Sequence, residues 1–151
     1  MPTHSETREL PYTAQQMYDL VADVASYPEF LPWTAAARIK TREDKGDHEV
    51  MDVDLVISFK VFRERFTSRV VLWPESKKID TEYLDGPFKF MKSNWHFEDA
   101  GQGACKVHFF VDFEFKNVVL QKIIGVVFNE AMQRVVRAFE KRAAALYGAT
   151  A

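Results

Sequence analysis

The sequence predicts an α+β domain in which one antiparallel sheet is followed by a long helix. Three observations carry this. Between about residues 34 and 115, apolar and polar residues alternate with a period of two. Turn-forming stretches, "EDKGD", "WPESKK", "DGP" and "DAGQG", cut that region into hairpins. From about 117 to 147 the apolar residues recur at helical spacing.

The elements follow in order. "THSETREL" at 3–10 alternates weakly and reads as a polar strand that ends at Pro11. Thr13 and Gln16 have capping-box spacing, in which each side chain serves a free backbone N–H. Met17, Leu20, Val21 and Val24 continue at helical spacing, so a helix is expected over 13–24. In "SYPEFLPW", Ser26 and Glu29 repeat the capping-box spacing and Pro28 falls in the first turn, where proline is tolerated. Pro32 forbids continuation, so a second, short helix of a turn or two is expected. Met51, Val53, Leu55, Ile57 and Phe59 then share one strand face, as do Phe62, Phe66, Val70 and Leu72. Ile79 and Tyr83, then Met91, Trp95 and Phe97, then Val107, Phe109, Val111, Phe113 and Phe115 repeat the pattern. The closing helix carries a stripe of Leu120, Ile124, Phe128, Ala131, Val135, Phe139 and Leu146. At about 1.5 Å per residue it can cross the whole sheet. A twisted sheet curling around one helix need not fill the space between them, and a ligand can occupy that gap.

The 151 residues make one domain, 1–151, long enough to bury a core without staples. The single Cys105 has no intramolecular disulfide partner. The net charge of −2 lacks the basic stripe of a nucleic-acid binder, so DNA is not an expected partner. No signal-peptide pattern opens the chain and no apolar run approaches the length of a membrane span. The expected location is the cytoplasm, either free or peripheral to the inner face of a membrane. His4, His48, His96 and His108 lack metal-ligand spacing, and there is no nucleophile elbow or phosphate loop. Neither a catalytic residue nor a cofactor is therefore expected.

Thirteen phenylalanines, in a chain that is 14% aromatic, fill a core or line a cavity. Tyr27, Phe30, Leu31 and Trp33 form either a lid over a cavity mouth or a satellite cluster beneath the first helix. Phe59, Phe62, Phe66, Met91, Trp95, Phe97, Phe109 and Phe113 share the inner face of the sheet. Glu64 and Ser68 interrupt the row of Phe62, Phe66 and Val70. A buried polar group needs a hydrogen bond, so they meet a ligand's polar head or are turned outward by a bulge. Thr81 and Ser93 pose the same question. Arg63, Arg65 and Arg69 share the outer face. Val119, Ile123 and Val126 lie away from the helix stripe, beside Lys116 and Lys122. They are covered by loops or a partner chain, or they dock at a bilayer.

The order of elements, "YPEFLPW" after the first helix, "LDGPFKFMKSNWHF" at 84–97 and the ending "AFEKRAAALYG" together resemble the coenzyme Q-binding START-domain family. That family includes a mitochondrial coenzyme Q chaperone and bacterial ribosome-association toxins, and it belongs to the helix-grip superfamily. Tyr27, Phe30, Leu31 and Pro32, then Gly86, Pro87, Phe88, Lys89, Trp95 and Phe97, carry most of the resemblance. Thr34 stands where many members have Cys. The resemblance implies a helix-grip fold with an internal apolar cavity, and non-enzymatic binding of ubiquinone or a similar prenyl quinone in support of quinone handling or respiratory electron transport. The ligand would meet the four lid residues, the eight inner-face residues, Glu64, and Phe128 of the helix. Two other readings stand beside this one. One is a ribosome-association inhibitor acting on ribosomal subunits. The other is a polyketide cyclase-like enzyme, for which Glu64 is the candidate acid or base.

Overall fold

The computed structural model describes residues 3–59, 62–86 and 88–148, without the side chains of residues 59, 62, 124 and 127–129. Strand β1 (Thr3–Leu10) leads into helix α1 (Ala14–Ala22) and a 3₁₀ helix (Val24–Glu29). Six strands follow: β2 (Thr34–Asp44), β3 (Glu49–Phe59), β4 (Phe62–Trp73), β5 (Lys78–Asp85), β6 (Phe88–Gly101) and β7 (Ala104–Phe115). Helix α2 (Val118–Tyr147) closes the chain. The strands form one sheet in the order β1-β7-β6-β5-β4-β3-β2, antiparallel throughout. The meander from β2 to β7 follows from short turns, whereas β1 reaches β7 only by crossing past α1.

The capping box forms as expected. The Gln16 N–H donates to Thr13 Oγ1 (3.0 Å), and the Thr13 N–H donates to Gln16 Oε1 (2.9 Å). Helix α1 ends two residues before its expected limit, because Asp23 leaves the helical region (φ −83°, ψ 70°). The next segment corrects a second expectation. Ser26 does not cap a helix; its hydroxyl donates to Asp23 Oδ2 (2.7 Å), and the segment is a 3₁₀ helix beginning at Val24. Pro28 sits inside it, where i→i+3 bonding asks less of the missing N–H.

Alternation along β3, β6 and β7 buries one face as the sequence implies: Met51 and Val53, Trp95 and Phe97, and Val107, Phe109, Val111 and Phe113 are all buried. Strand β2 lacks a clear period, because it is an edge strand with two register shifts and most of its side chains face solvent. Asp54 anchors its outer face, accepting from Thr67 Oγ1 (2.5 Å) and Arg38 Nη2 (3.3 Å). On α2, Leu120, Val136, Phe139 and Ala143 are buried. Leu146 corrects the expected stripe. It is 52% exposed, and residues 145–148 are all exposed; the last turn is held instead by Tyr147, whose hydroxyl donates to the Gln16 carbonyl (3.1 Å). Arg8 ties the first strand to this helix by pairing with both Glu6 and Glu140. Cys105 is fully buried, and burial pushes its thiol up to about 11, so it stays protonated at neutral pH.

Candidate functional site: a cavity between sheet and helix

The concave face of the sheet and α2 do not close on each other. Between them lies a cavity of about 280 Å³. Its sheet wall includes Val53, Leu55 and Ile57 of β3, and Phe66, Ser68 and Val70 of β4. Strands β5 and β6 add Ile79, Thr81, Met91, Ser93 and Trp95, and β7 adds Phe109, Val111, Phe113 and Phe115. Its helix wall is Ala131, Met132, Val135 and Phe139. Val24, Tyr27, Leu31, Pro32, Trp33 and Thr34 border it from the segment after α1. Among the described residues, no Asp, Glu, His, Lys or Arg lines it. The wall offers apolar area and a few hydroxyls.

Rigid rings keep this space from collapsing. Phe139 meets Tyr27, Phe30 and Trp95 edge-to-face at centroid distances of 5.5, 5.3 and 5.2 Å. Phe88 meets Phe66 and Phe113 in the same way (5.2 and 5.5 Å) and stacks on Phe115 (4.6 Å). Edge-to-face contacts fix ring orientation, and a ring held by several neighbours cannot rotate to fill a void. Tyr83 extends this second cluster: its hydroxyl accepts the Phe88 N–H (3.2 Å).

The segment after α1 is clamped at both ends. The Tyr27 hydroxyl donates to the Val21 carbonyl (2.5 Å), and burial holds the phenol well above its ordinary range. Trp33 takes φ +62°, a conformation bulky side chains rarely adopt, and its carbonyl accepts the Ser58 N–H (2.8 Å). Tying the backbone to β3 holds Trp33 in this strained turn, where the residue borders the cavity.

The structure separates the sequence candidates. Tyr27, Leu31, Trp33, Phe66, Met91, Trp95, Phe109 and Phe113 line the cavity. Phe30 does not. Its ring lies between Phe139 and the Arg142 guanidinium, which sits 5.1 Å from the ring centroid. Phe97 does not either. It shares a face with Trp95 but is covered by Tyr18 of α1 (6.3 Å, edge-to-face) and is core. Glu64 is a further correction: Arg63, Glu64 and Arg65 are all exposed. Strand β4 pairs with β5 only from Thr67 onward, so Arg63, Glu64 and Arg65 have β3 on one side and, among the described residues, no strand on the other. At that open edge Glu64 meets solvent although it shares parity with Phe66 and Ser68, and parity stops predicting burial. Phe59, Phe62 and Phe128 have side chains outside the described set. Val119 and Val126 are 62% and 86% exposed, and Ile123 is half-buried.

Several lining residues went unnamed among the sequence candidates. Val53, Leu55 and Ile57 were legible as an inner face but carry no chemistry that marks a site. Phe88 belongs to no clear alternation, Phe115 was legible only as the end of an alternating face, and Met132 lies beside the expected helix stripe.

Comparison with known proteins agrees with this architecture. The solution structure of an 18 kDa protein from Caulobacter crescentus superposes with a TM-score of 0.82 at 34% identity, covering 99% of this chain and 100% of that one. A ribosome association toxin, RatA, from Rickettsia prowazekii is 40% identical over 146 residues, 95% of this chain and 97% of that protein. The mitochondrial coenzyme Q-binding protein COQ10 homolog B from Xenopus laevis is 32% identical over 149 residues, 96% of this chain and 59% of that protein. The profile of the family described as polyketide cyclase / dehydrase and lipid transport matches residues 10–140. With its helix-grip sheet, long closing helix and relatives of both kinds, the chain belongs to that polyketide cyclase / dehydrase and lipid transport family.

Proposed function

We propose that this protein binds ubiquinone or a similar prenyl quinone, without chemical conversion, in the cavity between sheet and α2. The observation that carries the reading is the cavity itself: preformed, aromatic-walled, and without a charged side chain among its described lining residues. Its volume of about 280 Å³ suits a substituted ring and the first part of a tail. Burial of apolar ligand area, at roughly 25 cal/mol per Å², drives binding. The likeness to a coenzyme Q-binding protein over nearly the whole chain supports the same ligand class. Trp95 lines the cavity, so a variant retaining only that tryptophan should show saturable quenching on addition of decylubiquinone. Binding seen by calorimetry with no quenching beyond the inner-filter effect would remove the ligand from this cavity.

Loading from a bilayer fits the start of α2. Val118, Val119 and Val126 are exposed there, next to exposed Lys116 and Lys122. Apolar side chains beside cations match the interface of an anionic membrane, each lysine adding about 1 kcal/mol near the surface. A triple change of Val119, Ile123 and Val126 to Ser should keep the circular dichroism spectrum and reduce flotation with liposomes containing anionic lipid. Undiminished flotation of the folded variant ends this part of the reading.

A second reading rests on the likeness to a ribosome association toxin along almost its entire length. It places ribosomal subunits among the partners, with the cavity serving a regulatory ligand or none. Co-sedimentation of purified protein with isolated subunits tests it, and an unshifted sedimentation profile rejects it.

A further inference from the structure

Along strands β3 to β7 the wall of the cavity carries hydroxyls in one place. Ser68 of β4, Thr81 of β5 and Ser93 of β6 all face inward from adjacent strands. Thr81 pairs directly with Ser93, and on its other side with Val70, two residues along β4 from Ser68. Cross-strand partners and their diagonal neighbours lie about 5 and 7–8 Å apart, so the three hydroxyls form one diagonal row.

Ser68 distinguishes this row from incidental polarity. It is 1% exposed, and its Oγ has no hydrogen-bond partner. A buried hydroxyl left without a partner is unfavourable by the full loss of its hydration, so such groups are rare unless something else satisfies them. Two other hydroxyls at the cavity are already used within the protein. Tyr27 donates to the Val21 carbonyl and Thr34 to the Pro32 carbonyl. The Ser68 hydroxyl is free for a ligand, and as a donor its natural partner is a carbonyl or ether oxygen.

The row also sets a direction. Ser68 pairs with Val53, which is fully buried. Moving along β3 from Val53, the lining passes through half-buried Leu55 to Ile57, whose partner Glu64 is exposed. The hydroxyls therefore lie at the enclosed end and the apolar wall runs outward from them.

We infer that the row of Ser68, Thr81 and Ser93 receives the oxygen-bearing head of the ligand, with Ser68 donating to a ring oxygen and the tail leaving past Leu55 and Ile57. This rests on the proposed quinone-binding function and adds polarity and orientation to it. The ligand class narrows to amphiphiles with hydrogen-bond-accepting oxygens at one end and an apolar chain at the other.

The test compares two probes of similar shape, decylubiquinone and decylbenzene, against the parent protein, Ser68→Ala and Thr81→Val. Both substitutions delete a hydroxyl with little change in volume. For Ser68→Ala, affinity for decylubiquinone should fall about tenfold, the effect of leaving one ligand oxygen unsatisfied. Affinity for decylbenzene should be unchanged or higher. The ligand-free Ser68→Ala protein should melt at or above the parent's temperature, because the change removes an unpartnered polar group. Thr81→Val should show the same split between probes with a smaller loss. If the parent binds decylubiquinone and both variants bind it equally well, the row does not hold the head and the inference is overturned while quinone binding stands. If the parent binds neither probe, the quinone reading itself fails and the inference falls with it. Equal losses for both probes also overturn it, since they report altered shape rather than a lost hydrogen bond.

Discussion

Gly86→Ala is expected to destabilise the protein by about 3 kcal/mol or more, among the largest effects of any single methyl group in this chain. Gly86 has φ +142°, a conformation L side chains rarely adopt. An added Cβ would lie 2.5 Å from the Phe66 Cβ and 2.9 Å from its Cα, distances that demand backbone movement. The conformational strain contributes about 1–2 kcal/mol and the overpacking a further 1–3. Phe66 is not a bystander: it lines the cavity and meets Phe88, the hub of the second aromatic cluster. The register between β4 and β5 shifts at Thr67/Ser68, next to this contact, so displacement of Phe66 would also move Ser68. Urea unfolding with an unchanged m-value is the measurement. Gly46→Ala is the control. It has φ +97° but nothing within 4 Å, so strain alone remains, about 1 kcal/mol. Equal losses at the two sites would show that Phe66 yields easily and that the close approach is unimportant.

Phe139→Ala should cost about 3–5 kcal/mol, the usual range for truncating a buried phenylalanine. Phe139 is 3% exposed, and its ring contacts Tyr27 and Phe30 from the segment after α1 and Trp95 from the sheet. One side chain of α2 thus joins both walls of the cavity to the segment that borders it. Its removal enlarges the cavity and releases that segment, so the loss in stability should come with faster proteolytic cleavage between residues 26 and 34. Phe30→Ala is the comparison. Phe30 is half-buried and outside the lining, so it should cost clearly less and leave the cavity's shape intact. A Phe139→Ala loss below about 1.5 kcal/mol, with cleavage unchanged, would mean that the aromatic contacts do not hold the segment in place.

Much of this molecule is written in local patterns. The order of elements, the inner faces of β3, β6 and β7, the capping box at Thr13 and the long closing helix follow from periods of two and 3.6 and from short-range hydrogen bonding. Those signals depend on a few neighbouring residues, and tertiary packing did not overrule them here. Parity also put Ser68 on the face where a polar group must find a partner, and the structure places it there without one.

Parity could not say what lies opposite each inward residue. Trp95 and Phe97 are two residues apart on one face, yet one meets the cavity and the other meets α1. Glu64, Phe66 and Ser68 also share parity, and only the end of β4–β5 pairing decides that Glu64 stands in solvent. Tyr27 and Phe30 differ because Phe30 packs between Phe139 and Arg142, from a helix more than a hundred residues away in the chain. Strand β1 pairs with β7, a contact between strands about a hundred residues apart in the chain that no local pattern signals. A residue's period assigns it a face of its own element. Whether that face meets solvent, core or a cavity is set by sheet twist, strand ends and helix placement, which only the assembled tertiary structure determines.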